Sequence, residues 1–250
     1  MKVVRETELF FMRRMIEQVR SPLWFFMGLI NPLLYLVLFA PLLGGIPNVG
    51  RDGVADAFVP RLLALFALNS GTGIAWIVNN ERTIGVIERF RVSPVSRLSL
   101  LLGNVLKDVV MFLITSLIVT VVSNFIGFHI HVLGLAVLFI LLCLLTAIVS
   151  AACSGLGLIA RDIGTIAAVV TGLQLPITLL SGVLLPISFG PTWLQVIAHF
   201  NPLYYVVEAS RVLASGTLWN IKVFWAFTIM VLLLVVTISW ATNIYRKAIS

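Results

Sequence analysis

Charge is what this chain has least of. Asp, Glu, Lys and Arg make up 11% of its 250 residues, and only 10 of them are acidic. A water-soluble domain of this length needs a far larger polar surface, so a soluble globular protein is excluded. Cysteine is as scarce. Cys143 and Cys153 fall on one predicted helix, about 15 Å apart along its axis, and that is beyond disulfide reach. No G-x-x-x-x-G-K-S/T loop occurs, so the chain cannot cradle a nucleotide by a P-loop. No His, Asp and Glu cluster has metal-ligand spacing: His129 and His131 stand one residue apart in a predicted outer turn. Asn69-Ser70-Gly71 has no histidine placed to activate the serine. Covalent chemistry, a metal and a cofactor in this chain are all unexpected.

What the chain has in abundance is apolar sequence. Hydrophobic residues make up 60% of it and its mean hydropathy is +1.09, which places it among all-α, polytopic membrane proteins. Apolar runs of about 20 residues predict six spans, near 23–43, 62–78, 105–126, 132–159, 163–185 and 223–244. They leave no room for a second, soluble domain, and no motif repeats in both halves. A cleaved signal peptide is not expected, because the first run begins late and is too long.

The net charge of +7 is distributed by side rather than clustered. Lys2, Arg5, Arg13, Arg14 and Arg20 precede the first span. Arg82, Arg89, Arg91, Arg97 and Lys107 follow the second, Arg161 the fourth, Arg246 and Lys247 the last. That positive-inside bias puts both termini in the cytosol. No aromatic residues interleave with the bases, so nucleic acid is not an expected partner.

Three stretches outside the spans carry pattern. In 81–97, E-R-T-I-G-V-I-E-R-F-R-V-S-P-V-S-R, the residues Ile84, Val86, Ile87 and Phe90 fall on one helical arc, with Glu81, Arg82, Glu88 and Arg89 opposite. Ser93-Pro94 then stops the helix. An amphipathic surface helix with an apolar face to be covered is the expectation, against a solvated loop with snorkelling arginines. Over 9–20, Leu9, Met12, Met15, Ile16 and Val19 make one stripe and Arg13, Arg14, Glu17 and Arg20 the other. This predicts an interfacial helix within 1–22. Residues 186–222, too long for a hairpin and too apolar for a free loop, predict a segment dipping into the outer leaflet. Gly182 and Pro186 permit its bend, Trp193 lies on its short helix, Pro202 starts another, and Glu208 can pair with Arg211.

The 81–97 motif resembles the cytosolic coupling segment of ABC-2 type permeases, the membrane subunits of ATP-driven exporters. S-G-V-x-x-P at 181–186 and W-L-Q-x-I-A-x-x-N-P-L-x-Y-x-V-E at 193–208 resemble the end of the same family, and N-P-L-L-Y-L in the first span adds to it. The resemblance thus covers nearly the whole chain. Val86 departs from it, standing where many relatives carry threonine. The resemblance implies a single permease domain over 1–250, in a prokaryotic plasma membrane, that pairs with a second copy or a paralogue. It implies a separate ATP-binding subunit that holds ATP and Mg. Contact with that subunit falls to Glu81, Arg82, Gly85, Glu88, Arg89, Pro94 and Arg97 in the coupling segment, 79–98. The second and fifth spans would face each other across the dimer axis, with Asn69, Ser70, Thr72, Thr171, Gln174 and Thr178 along a path for hydrophobic or amphipathic small-molecule cargo. Membrane lipid is the remaining partner. A scaffold that recruits a cytosolic protein, or an exporter of lipid-linked glycan, are the alternatives. A proton- or sodium-coupled carrier is weakened because no acid falls within a predicted span away from its mouth.

Overall fold

Backbone amides cannot stay unpaired in hydrocarbon, so a chain this apolar must close its hydrogen bonds within helices. The computed structural model describes residues 2–44, 51–86, 96–125, 128, 131–183, 187 and 190–249. Those residues form helices α1 (Lys2–Arg20), α2 (Pro22–Gly44), α3 (Arg51–Ser70), α4 (Ile74–Thr83), α5 (Arg97–Asn124), α6 (Val132–Ile159), α7 (Ile163–Leu179), α8 (Thr192–Ala198), α9 (Pro202–Ala214) and α10 (Ile221–Ile249), and no strand. Among them four stretches are long and apolar enough to cross a membrane: Phe58–Thr83, Arg97–Asn124, Val132–Ile159 and Ile221–Lys247. Two shorter apolar stretches, Phe26–Leu38 and Ile163–Leu179, stand where the first and fifth spans are expected.

α6 is the axis of the bundle. It packs against α3, α4, α5, α9 and α10, and its buried face is rich in small residues. Without a hydrophobic drive between helices in lipid, close backbone approach is what holds them. A Cβ on Gly71 would come within 2.6 Å of the Ser150 backbone nitrogen, and one on Gly157 within 2.5 Å of the Ala75 carbonyl oxygen. Both sites admit only glycine. The second span is broken at residues 71–73 into α3 and α4, where the Thr72 N–H donates to the Asn69 carbonyl at 3.1 Å. α7 lies at the edge on α4 and α6, with Leu173, Leu175 and Leu179 exposed. Asp162 caps its start by accepting from the Thr165 N–H at 2.6 Å, and that bond holds its carboxyl below the usual range.

Two expected boundaries move. α1 begins at Lys2, well before the stripe at 9–20. The helix of the third span begins at Arg97, before the expected start near Val105, so Lys107 and Asp108 lie within α5 and not at its first turn.

Candidate functional site

α1 turns Arg14 of its polar stripe inward, while Glu17 and Arg20 are exposed. Leu9, Met12, Ile16 and Val19 are exposed, as lipid would require, while Arg14 is buried with a side chain only 8% exposed. Arg14 Nη2 donates to Glu81 Oε2 at 2.5 Å, Nη1 to Glu17 Oε2 at 3.0 Å, and Nε to Asn104 Oδ1 at 2.8 Å. Arg13 Nη2 adds a second bond to Glu81, at 2.8 Å. Asn104 passes the network on, its Nδ2 donating to Tyr245 Oη on α10 at 3.4 Å. Burial works against the Arg14 charge, but Glu81 and Glu17 outweigh it and raise the guanidinium's pKa above its ordinary value. The start of the coupling segment is thereby pinned to α1, α5 and α10.

The same helix holds the segment's other end. Glu6 Oε2 accepts from the Ser96 N–H at 2.9 Å and from Ser99 Oγ at 3.3 Å, and Ser99 Oγ also reaches the Val3 carbonyl at 3.2 Å. Ser96 in turn caps α5, accepting from the Ser99 N–H at 3.2 Å. Within 3–8, Glu6 and the Val3 carbonyl meet the polar start of α5, while Val4, Arg5 and Glu8 are exposed. α1 is thus a splint fastened at both mouths of the coupling segment.

Of the coupling residues expected from sequence, Glu81 and Arg82 are both engaged inside the chain. Arg82 Nη1 donates to the carbonyls of Leu158 and Ala160 at 2.8 and 2.9 Å, and Asn79 Nδ2 to those of Gly157 and Ala160 at 3.3 and 3.0 Å. These bonds satisfy the orphan carbonyls at the end of α6 and set a cation against its negative dipole end. Gly85 takes φ +77°, a turn after α4 that other residues rarely adopt. Arg97 is the first residue of α5 and half-buried. Glu88, Arg89 and Pro94 lie outside the described residues.

The polar residues of the second and fifth spans meet. Gln174 Nε2 donates to Asn69 Oδ1 across α3 and α7, while Asn69 Nδ2 donates to the Leu65 carbonyl at 2.8 Å. Thr72 Oγ1 donates to the Asn69 carbonyl at 2.8 Å, whereas Thr171 is exposed and Ser70 and Thr178 half-buried. At the far end Gly182 is buried with φ +75°. Asn201 Nδ2 donates to the Ile177 carbonyl at 2.7 Å, and its Oδ1 caps α9 by accepting from the Leu203 N–H at 3.0 Å, with Pro202 in the first turn. Trp193 is exposed on α8, and Glu208 pairs with Arg211 at 3.3 Å and Lys222 at 2.7 Å. Pro186 lies outside the described residues.

One cluster escaped the sequence reading. Lys107 Nζ pairs with Asp108 Oδ1 at 2.5 Å, and Ser150 Oγ donates to Asp108 Oδ2 at 2.6 Å. Asp108 is 3% exposed and about 16 Å along α5 from Arg97. An acid is therefore buried within α5, neutralised by its neighbour Lys107. Neighbouring residues on a helix do not normally face each other, so the pair left no spacing signal.

Comparison with known proteins gives the family. Residues 5–215 match the family described as ABC-2 type transporter. The chain is 29% identical over 238 residues to the putative transport permease ycf38 of Porphyra purpurea, covering 90% of this chain and 80% of that one. It is 24% identical over 198 residues to the daunorubicin resistance ABC transporter permease protein DrrB1 of Streptomyces coeruleorubidus, covering 76% and 69%. Against the inner membrane transport permease YadH of Escherichia coli K12 it is 26% identical over 206 residues, covering 80% and 77%. A match across most of the length, joined to membrane-crossing helices and the splinted segment between α4 and α5, makes this chain a multi-pass membrane permease of the ABC-2 type transporter family.

Proposed function

We propose that the chain is the permease half of an ATP-driven exporter in a prokaryotic cell membrane. It pairs with a second copy or a paralogue, and each permease contacts a separate subunit that holds ATP and Mg. The chain crosses six times with both termini in the cytosol, α2 and α7 serving as the first and fifth crossings, and 186–222 forms a re-entrant outer segment. The apolar character of Phe26–Leu38 and Ile163–Leu179 supports that count. The cargo is amphipathic or hydrophobic. A relative named for daunorubicin resistance supports this class, as do the neutral amides and hydroxyls of Asn69, Gln174 and Thr178 among leucines.

The observation that carries the proposal is the splint. A segment free at both ends would yield to a push from below. Here Arg14–Glu81 fastens its entrance and Glu6–Ser96 its exit, so displacement reaches α4, α5 and α10 together. Glu88, on the polar arc, is the residue proposed to meet the ATP-binding subunit. Reconstitution with that subunit tests the reading by following ATP-dependent outward movement of lipophilic fluorescent compounds. Arg14→Ala is expected to abolish transport while the two subunits still associate. Association with no movement of any compound by the unaltered protein would favour the scaffold instead.

A further inference from the structure

Two adjacent residues at the end of α4 are bonded in different directions. Glu81 goes to α1, whereas Arg82 Nη1 holds the carbonyls of Leu158 and Ala160. Asn79, 3% exposed and three residues earlier on α4, donates to the carbonyls of Gly157 and Ala160. The backbones are close here, where Gly157 meets the Ala75 carbonyl. A cap alone would stop at the last turn of α6, which ends at Ile159. Both side chains go one residue further, to Ala160, whose backbone is already extended at ψ 136°. Asp162, two residues on, caps the start of α7. The three residues from Ala160 to Ile163 span at most about 10 Å, so the start of α7 has little slack to leave α4.

α7 needs that anchor because so little of it is buried. Of its 17 residues only Ile166 and Val170 are buried, in one apolar cluster with Ile74 and Val78 of α4. Its far half is held by the bond from Gln174 to Asn69 on α3, and by the one from Asn201 to the Ile177 carbonyl. Each half of the broken second span therefore holds one half of α7. The α3 half does so through an amide pair, the α4 half through Arg82 and Asn79.

We propose that Arg82, supported by Asn79, is the positioning residue that joins the coupling segment to α7, so that a push on the segment moves the fifth span together with the second. Glu81 carries displacement to α5 and α10 by way of α1, and Arg82 carries it to the helix expected to line the cargo path. The use of this latch in transport rests on the export reading; its hold on α7 does not.

Hydrogen exchange of the full chain in micelles tests the hold, with Arg82→Ala and Arg82→Lys as the variants. Arg82 is exposed, so both are expected to fold. Arg82→Ala is expected to speed exchange across 166–170 about tenfold, as the loss of a charged hydrogen bond would, while 101–119 in α5 stays as slow as before. Arg82→Lys keeps a donor for one carbonyl and should restore most of the protection. Unchanged exchange across 166–170 overturns the latch, because α7 then does not depend on Arg82. An equal rise in α5 also overturns it, because Arg82 then only stabilises the bundle. In the complex with the ATP-binding subunit, Arg82→Ala is expected to lower the amount of compound moved per ATP about tenfold, and Arg82→Lys to recover part of it. A loosened α7 with an unaltered transport ratio overturns the coupling role. Should the unaltered complex move no compound, the export reading fails, while exchange across 166–170 still decides the hold on α7.

Discussion

The two charged clusters use the same parts to opposite effect. Near the chain ends, Arg13 and Arg14 meet Glu17 and Glu81, so each of these charges has a counter-charge, and Asn104 accepts from Arg14 Nε. At the far end Arg211 and Lys222 share Glu208 among the described residues. Separating Arg14 from Glu81 would leave two largely buried charges unpaired, which resists their movement apart. The first arrangement suits transmission of force, whereas the second, with Lys222 53% exposed, is open to water.

Removing one partner of each buried or half-buried pair tests that contrast. Lys107→Met is expected to cost the most, about 3–5 kcal/mol, because it strands Asp108 between α5 and α6 with only the Ser150 hydroxyl. Chemical unfolding in mixed micelles measures it. Glu81→Gln follows, at about 3 kcal/mol, since Arg14 loses the counter-charge that holds it in the bundle and only Glu17 remains. Glu208→Gln is expected to cost about 1 kcal/mol or less, because Arg211 and Lys222 are partly solvated and can turn to water. Equal losses for Glu81→Gln and Glu208→Gln would break the contrast between a closed cluster and an open one.

Much of this was legible in the residues. Apolar run length places 132–159 on α6 to the residue, because both of its ends are set by turns. It stops short of the start of α5, because Lys107 and Asp108 interrupt the apolar run, whereas the helix carries both as a paired couple. Periodicity finds the two faces of α1, yet it cannot say that Arg14 turns inward. That outcome depends on Glu81 and Asn104, which are distant in the chain. Glu81 and Arg82 stand out as charges in an apolar chain. Their partners, Arg14 and the end of α6, come from three-dimensional packing alone. The long motifs at 81–97 and 181–208 carry the family, since two ordered patterns between the right spans are far more specific than composition.

Asn69 and Gln174 give the smallest expected effect and the finest test. Each is recognisable alone as a polar residue amid apolar ones, but their spacing of over a hundred residues hides that they bond to each other. A buried amide in lipid must be satisfied, and this pair satisfies part of each side chain. If the bond is glue between α3 and α7, a double-mutant cycle with Asn69→Leu and Gln174→Leu should give a coupling of about 0.6 kcal/mol, with the cargo profile unchanged. If the pair lies along the path, as the proposed export route expects, either substitution alters which compounds pass while stability stays nearly intact. Both residues are half-buried and Thr171, one helical turn before Gln174, is exposed, so one side of the pair is accessible. The path reading therefore predicts that Thr171→Trp shifts the cargo profile in the same direction as Gln174→Leu. Its bulk would fill the same accessible side without touching the bond. A profile unmoved by Thr171→Trp, together with a measurable coupling between Asn69 and Gln174, assigns the pair to helix packing alone.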